Sequence, residues 1–159
     1  MFILVGPKRQ RRNAKRHLQK GLQPRRPTDN QVVRLETKFM NHTATVLVLA
    51  LGASDWGPIT KTLTNRYSYR FIVAKSASEA RNALQSAQIE LAVSEESADS
   101  SEGMNFLLNL RTSNPDILRI YVAPLATAVS ADTAAKAAIY QFLHEPLYPD
   151  QLGLVLMRA

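Results

Sequence analysis

The chain contains no cysteine. Disulfides, thiol nucleophiles and thiolate metal sites are therefore excluded, and the absence fits a reducing cytoplasm. Histidine is almost as scarce. His17, His42 and His144 are the three in the sequence, and no two of them stand at a metal-ligand spacing. None is placed to join Ser54 and Asp55 in a nucleophile–base pair, so that dipeptide reads better as a helix cap. The six glycines compose neither G-x-G-x-x-G nor a phosphate-cradling Gly-Lys loop. No apolar run approaches the ~18 residues of a membrane span. The opening Met1-Phe2-Ile3-Leu4-Val5-Gly6 is apolar before it is basic, the reverse of a secretory signal.

What is present is a chain of 159 residues, 45% hydrophobic, with a net charge of +7. Such a length suits one domain with a real core. The charge is uneven. Residues 1–39 carry 11 Lys/Arg against Asp29 and Glu36, a surplus of nine positive charges, whereas residues 40–159 carry 9 Lys/Arg against 11 Asp/Glu. The amino-terminal arm is expected to be too polar to bury enough apolar surface to offset its ordering entropy. Its dense cationic run, Lys8, Arg9, Arg11, Arg12, Lys15 and Arg16, suggests nucleic acid or anionic lipid, with a steep salt dependence. A solvated tail is the plainer reading. Met40, directly before the globular part, is an alternative start that would make residues 1–39 an extension absent from the native protein. Aromatic residues do not interleave with the arm's charges, so base stacking is poorly supported.

From residue 40 onward the pattern alternates. Thr45 to Leu51 is a continuous apolar run ended by Gly52, as in a strand buried on both faces. Ser54-Asp55-Trp56-Gly57-Pro58 reads as a helix start, with Ile59, Leu63 and Trp56 as its buried stripe. Tyr69 to Ala74 is a second strand, and Ser76-Ala77-Ser78-Glu79 has capping-box spacing before a helix bearing Ala80, Ala83 and Leu84. Ile89 to Ser94, Ile117 to Ala123 and Ile139 to Leu143 read as three further strands. Helices fill the gaps: one with Phe106, Leu107 and Leu110 inward, an alanine-rich one over Ser130 to Ala138, and a last one entered at Pro149 with Leu152, Val155 and Leu156 on one face. Five strands alternating with five helices imply a parallel sheet covered on both sides. Ligand chemistry in such a fold belongs at the carboxyl ends of the strands, here Ala50-Leu51, Glu95, Ala123 and Glu145.

The order and spacing of these segments resemble a response-regulator receiver domain of degenerate, pseudo-receiver type. Ile139-Tyr140-Gln141-Phe142-Leu143-His144-Glu145-Pro146, followed by Pro149-Asp150-Gln151-Leu152, resembles the family's I-Y-x-F-L-x-K-P strand and loop with its following P-x-x-L helix. Ile89 to Ser94 resembles the strand before the phosphoacceptor, and Gly103 matches the glycine that opens the third helix. The resemblance covers 40–159 and implies a flavodoxin-like (βα)5 doubly wound sheet of strand order 2-1-3-4-5. It also implies a cytoplasmic, bacterial two-component signalling role without enzymatic activity or cofactor.

The family's phosphorylation chemistry needs an acidic pair after strand one, Asp after strand three, Thr or Ser after strand four and Lys before the proline after strand five. Those positions fall on Ala50 and Leu51, Glu95, Ala123 and Glu145, and all five depart from the pattern. Mg²⁺ takes octahedral oxygen ligation at ~2.0–2.1 Å, which Ala50 and Leu51 cannot help supply. Glu145 would repel a phosphoryl group that lysine would attract. Glu95 is a poor phosphate mimic, since a carboxylate carries −1 against about −1.5 to −2. It is expected to be a solvated glutamate at a strand end. Glu95, Glu96, Asp99 and Glu145 are an alternative loose cation site, although loop carboxylates are commoner as plain surface charge. Phe142, at the family's rotating-aromatic position, is expected to be a fixed, packed ring. Ala134, Tyr140, Leu147 and Tyr148 are expected to form a flat apolar surface on the fourth helix and fifth strand, the face through which receivers dimerise or meet another signalling protein. The resulting expectation is a non-phosphorylatable module acting through protein–protein contact, either free-standing or with an output domain beyond Ala159. A nucleic-acid-associated regulator using the arm, and a small-molecule or cation-binding enzyme at the strand ends, are the competing readings.

Overall fold

The computed structural model describes residues 43–125 and 127–159. The basic arm, with Lys8, Arg9, Arg11, Arg12, Lys15 and Arg16, lies outside the described residues, as do the 39/40 boundary and Met40. The described chain runs β1 (Ala44–Leu49), α1 (Trp56–Arg66), β2 (Tyr69–Ala74), α2 (Ala77–Ser86), β3 (Leu91–Glu95), α3 (Glu102–Ser113), β4 (Leu118–Ala123), α4 (Ala131–Ala137), β5 (Gln141–His144) and α5 (Pro149–Arg158). All four strand pairings are parallel, and the sheet order is β2-β1-β3-β4-β5. This is the flavodoxin-like order expected from the sequence.

Strand alternation places the core on both sides of this sheet. Val46 and Val48 face α1 and α5 with Trp56, Ile59, Leu63, Leu152 and Leu156. Leu47 and Leu49 face the opposite layer with Ala80, Leu107, Leu110 and Tyr121. Val46, Leu47, Val48 and Leu49 are all fully buried, which is why β1 reads as an unbroken apolar run rather than an alternating one.

Local chemistry sets the helix ends. Asp55 caps α1 by accepting from the Gly57 N–H at 3.3 Å. Ser76 Oγ accepts from the Glu79 N–H at 3.2 Å, and Glu79 Oε2 accepts from the Lys75 N–H at 2.8 Å. The Ser76–Glu79 pair thus works as a capping box shifted by one residue at its return bond. The fifth strand starts later than its sequence suggests. Ile139 and Tyr140 lie outside it, because α4 ends at Ala138 in a left-handed turn (φ 48°, ψ 53°) and the chain needs two residues to reach the sheet. Among the described residues, no helix is long and apolar enough to cross a membrane.

Candidate functional site

Two consecutive carboxylates mark the end of β3, and the period-two alternation sends them to opposite faces. Leu91 and Val93 belong to the layer containing Trp56, whereas Ala92 belongs to the α2–α3 layer. Glu95 continues the first series and Glu96 the second. Both are buried, at 0% and 2% exposure.

Glu95 Oε2 accepts the indole Nε1–H of Trp56 at 2.9 Å and the Gly52 N–H at 3.1 Å, and Oε1 accepts the Ser54 N–H at 2.9 Å. The N–H between these two, on Ala53, donates to Glu145 Oε1 at 3.1 Å. Three successive main-chain N–H groups of the β1–α1 loop thus point at two side-chain carboxylates, one from the end of β3 and one from the end of β5. The Glu145–Pro146 peptide, where this second carboxylate leaves the sheet, is cis. Gly52 fits between them. A β-carbon there would lie 2.5 Å from Glu145 Oε1 and 2.7 Å from Glu95 Cδ.

The expected solvated Glu95 is therefore corrected: it is fully buried. Desolvating a carboxylate is costly unless its oxygens are hydrogen-bonded, and loop N–H groups together with an indole meet that need here. Sequence reading treated Trp56 only as part of an apolar stripe. Its proximity to the strand ends, just after the Asp55 cap, was the available signal for a polar role. Trp56→Phe keeps an aromatic ring, though a smaller one, and removes the donor. It is expected to lower folding stability by about 1–2 kcal/mol, read as a shift in denaturation midpoint at unchanged slope.

Glu96 does a different job. Its Oε1 and Oε2 accept the Gly103 and Met104 N–H groups at 3.0 and 2.9 Å. Ser101, the α3 N-cap by position, makes no side-chain cap bond, so Glu96 supplies both the acceptors and the negative charge that a helix start favours. The loose cation site weighed for Glu95, Glu96, Asp99 and Glu145 does not assemble. Its two buried members face opposite layers, and among the described residues no group of three or more His, Cys, Asp or Glu could hold a metal ion. Nor do the family's Mg²⁺ positions fit the ion. Ala50 and Leu51 offer no side-chain oxygen, and the Glu95 oxygens face N–H donors.

Tyr121, on β4, donates to Glu96 Oε2 at a long 3.5 Å. Burial, then the Glu96 charge, then this bond push its phenol up to about 12. Burial also raises Tyr69. Phenols raised in the folded state keep their protons after the unfolded chain has lost them. Their stability contribution is complete below pH ~10 and is lost as pH climbs from there towards about 12. Denaturation midpoints are expected to fall through that window, and less steeply in Tyr121→Phe.

Ala123, at the hydroxyl position, is fully buried. Phe142 is half-buried and stands edge-on to Tyr121, with centroids 5.8 Å apart and planes at 70°. His144 is exposed. Of the expected docking residues, Tyr140 and Tyr148 are exposed (42% and 57%) and Ala134 is half-buried. Leu147 is corrected: it is buried in the core with Leu152 and Leu156 and leaves the outer surface. Leu154 and Met157, on α5, are exposed apolar residues that sequence reading did not single out.

A scan against family models and a search of curated proteins each find no match. Solved structures do match. A response regulator from Thermotoga maritima is 21% identical, with a TM-score of 0.61 over 74% of this chain and 97% of that one. The signal receiver domain of an HD domain-containing protein from Pseudomonas fluorescens Pf-5 is 20% identical, with a TM-score of 0.61 over 74% and 94%. A CheY-like receiver domain protein from Methanospirillum hungatei JF-1 is 18% identical, with a TM-score of 0.62 over 74% and 93%. On this likeness the globular part of the chain has the fold of a response-regulator receiver domain, with carboxylates at the ends of β3 and β5 turned onto the β1–α1 loop.

Proposed function

We propose that residues 40–159 are a receiver-like signalling module of a two-component-type pathway that accepts no phosphate, catalyses nothing and acts by contact with other proteins. The observation carrying this is the pair of carboxylates on the β1–α1 loop. Glu95 and Glu145 use the loop N–H groups internally and place negative charge where an incoming phosphoryl group would need cations. Ala50, Leu51 and Ala123 add neither a metal ligand nor a hydroxyl. What remains for the module is its surface. The exposed Tyr140 and Tyr148 and the half-buried Ala134 favour a partner or a second copy on the α4–β5–α5 side.

Incubating the full chain with Mg²⁺ and a small-molecule phosphodonor is expected to leave its intact mass unchanged. A stoichiometric phosphate adduct on Glu95 contradicts the reading. Capture of a partner from the native host by the full chain, lost in a Tyr140→Asp, Tyr148→Asp variant, is the expected positive result. Salt-sensitive DNA binding of similar strength to that capture, abolished by neutralising Lys8, Arg9, Arg11 and Arg12, supports the nucleic-acid reading instead.

A further inference from the structure

The α4 helix has little of its own to hold it. It is seven residues long, Ala-Asp-Thr-Ala-Ala-Lys-Ala, and Ala137 is its one buried residue. A helix this short is unstable in isolation, and alanine side chains bury little apolar area. At its start Ser130 Oγ accepts the Thr133 N–H at 3.1 Å. Its Asp132–Lys136 ion pair is exposed on both sides and contributes little.

Its end is held differently. Arg111, reaching from α3, donates through Nη1 to the carbonyl oxygens of Ala135, at 3.1 Å, and Lys136. Arg119, from the start of β4, donates through Nε to the carbonyls of Ala137 and Ala138 at 3.0 and 3.4 Å. Four consecutive carbonyls at the helix end, from Ala135 to Ala138, thus face two guanidinium groups; the Ala135 carbonyl also accepts the Ala138 N–H at 3.1 Å, a tight last-turn bond. The positive charges also stand at the negative end of the helix dipole. Arg119 is 7% exposed. Its Nη1 donates to Pro115 O and Ile117 O at 3.1 and 2.7 Å, so the guanidinium is fixed from the chain entering β4 as well. Burial and the neighbouring Arg111 lower its affinity for a proton, in keeping with two cations held at adjacent carbonyls of one helix end. The helix ends just here, at Ala138, a non-glycine residue in the left-handed region, a conformation that needs surrounding bonds to persist.

Both arginines act from the end of the sheet where β4 begins. The carboxylate pocket lies at the other end, where β3 and β5 finish. We propose that Arg111 and Arg119 are the positioning residues of α4, a two-guanidinium clamp that keeps the helix in one place independently of the strand-end pocket. On the functional reading above, the α4 side of the docking face is then presented constitutively, with no signal from the pocket needed to set it.

Site-resolved amide hydrogen exchange on the full chain tests the clamp. In Arg111→Ala and in Arg119→Met, the amides of Ala134 to Ile139 are expected to exchange about tenfold faster, with β1 and β3 amides unchanged. Glu95→Gln is expected to leave the α4 amides at their original rates. Arg119→Met alone could loosen the whole core, but the Arg111 side chain is exposed, so its removal reads the clamp separately. Unchanged α4 amides in Arg111→Ala, or equal acceleration by Glu95→Gln, overturn the proposal. Failure to capture any partner while α4 remains protected by the arginines refutes the docking reading and leaves the clamp standing.

Discussion

Glu95→Ala is expected to lower folding stability by about 2–4 kcal/mol, a large fraction of the total for a domain of this size. The substitution leaves three donors without their acceptor: the N–H groups of Gly52 and Ser54 and the indole N–H of Trp56. The three are not equal. Gly52 is exposed and Ser54 half-buried, so water can recover those two amides, whereas Trp56 is 5% exposed and its N–H stays dry. An orphaned buried donor costs about 1–3 kcal/mol, and the emptied stem of Glu95 adds a small cavity. Opposing this, a buried charge is removed, which returns part of the desolvation cost. The orphaned indole outweighs that return, because Trp56 stays buried among Ile59, Leu63 and the sheet with its N–H out of reach of water. Urea denaturation of wild type and variant measures the outcome. A difference within ±0.5 kcal/mol, as for an ordinary surface glutamate, contradicts the buried placement. A double-mutant cycle with Trp56→Phe should show coupling, since the two side chains share one hydrogen bond.

Gly103→Ala is expected to be at least as damaging as most single changes in the core, about 2–3 kcal/mol. The reason is backbone proximity. A β-carbon at 103 would lie 2.8 Å from the Glu95 carbonyl oxygen and 2.9 Å from Ser94 Oγ, which itself donates to the Gly103 carbonyl at 3.0 Å. A flexible side chain could move away, but a carbonyl at the end of a central strand cannot do so without disturbing β3. Any retreat of α3 would also lengthen the two bonds that Glu96 accepts from Gly103 and Met104. The expected result is a lower denaturation midpoint, together with faster exchange of the first α3 amides. Full stability in Gly103→Ala contradicts the close approach of α3 to β3.

The fold was legible because its signals were redundant. β1 from Val46 to Leu49 and β4 from Ile120 to Ala123 are unbroken buried runs, as in strands covered on both faces. Asp55, Ser76 and Pro149 announced helix starts at the places where α1, α2 and α5 begin. Gly103 was legible through the resemblance, and its close approach gives the physical reason for a glycine there. The site was less legible. Set against the resemblance, the five strand-end positions carry neither the acidic pair, the aspartate, the hydroxyl nor the lysine, and residue identity alone shows that. It could not show what took their place. A glutamate at a strand end is usually solvated, and only the convergence of Gly52, Ala53, Ser54 and Trp56 on the ends of β3 and β5 makes burial affordable. Leu147 misled for a related reason: it follows an exposed loop in sequence yet turns under α5 into the core. Arg119 sits in an otherwise apolar strand where no pattern rule expects a cation, and two of its four carbonyl partners, on Ala137 and Ala138, come from a segment whose proximity only the fold creates.

The central claim is that internal carboxylates hold the β1–α1 loop and leave no place for Mg²⁺ and a phosphoryl group. Adding Mg²⁺ with beryllofluoride to the full chain and following amide NMR shifts measures this at the residues concerned. The account predicts no saturable shifts at Gly52, Ala53, Ser54, Glu95 or Glu145, because the N–H groups already have acceptors and the incoming anion meets like charge. Saturable, Mg²⁺-dependent shifts centred on Glu95 and the 52–54 loop would contradict it.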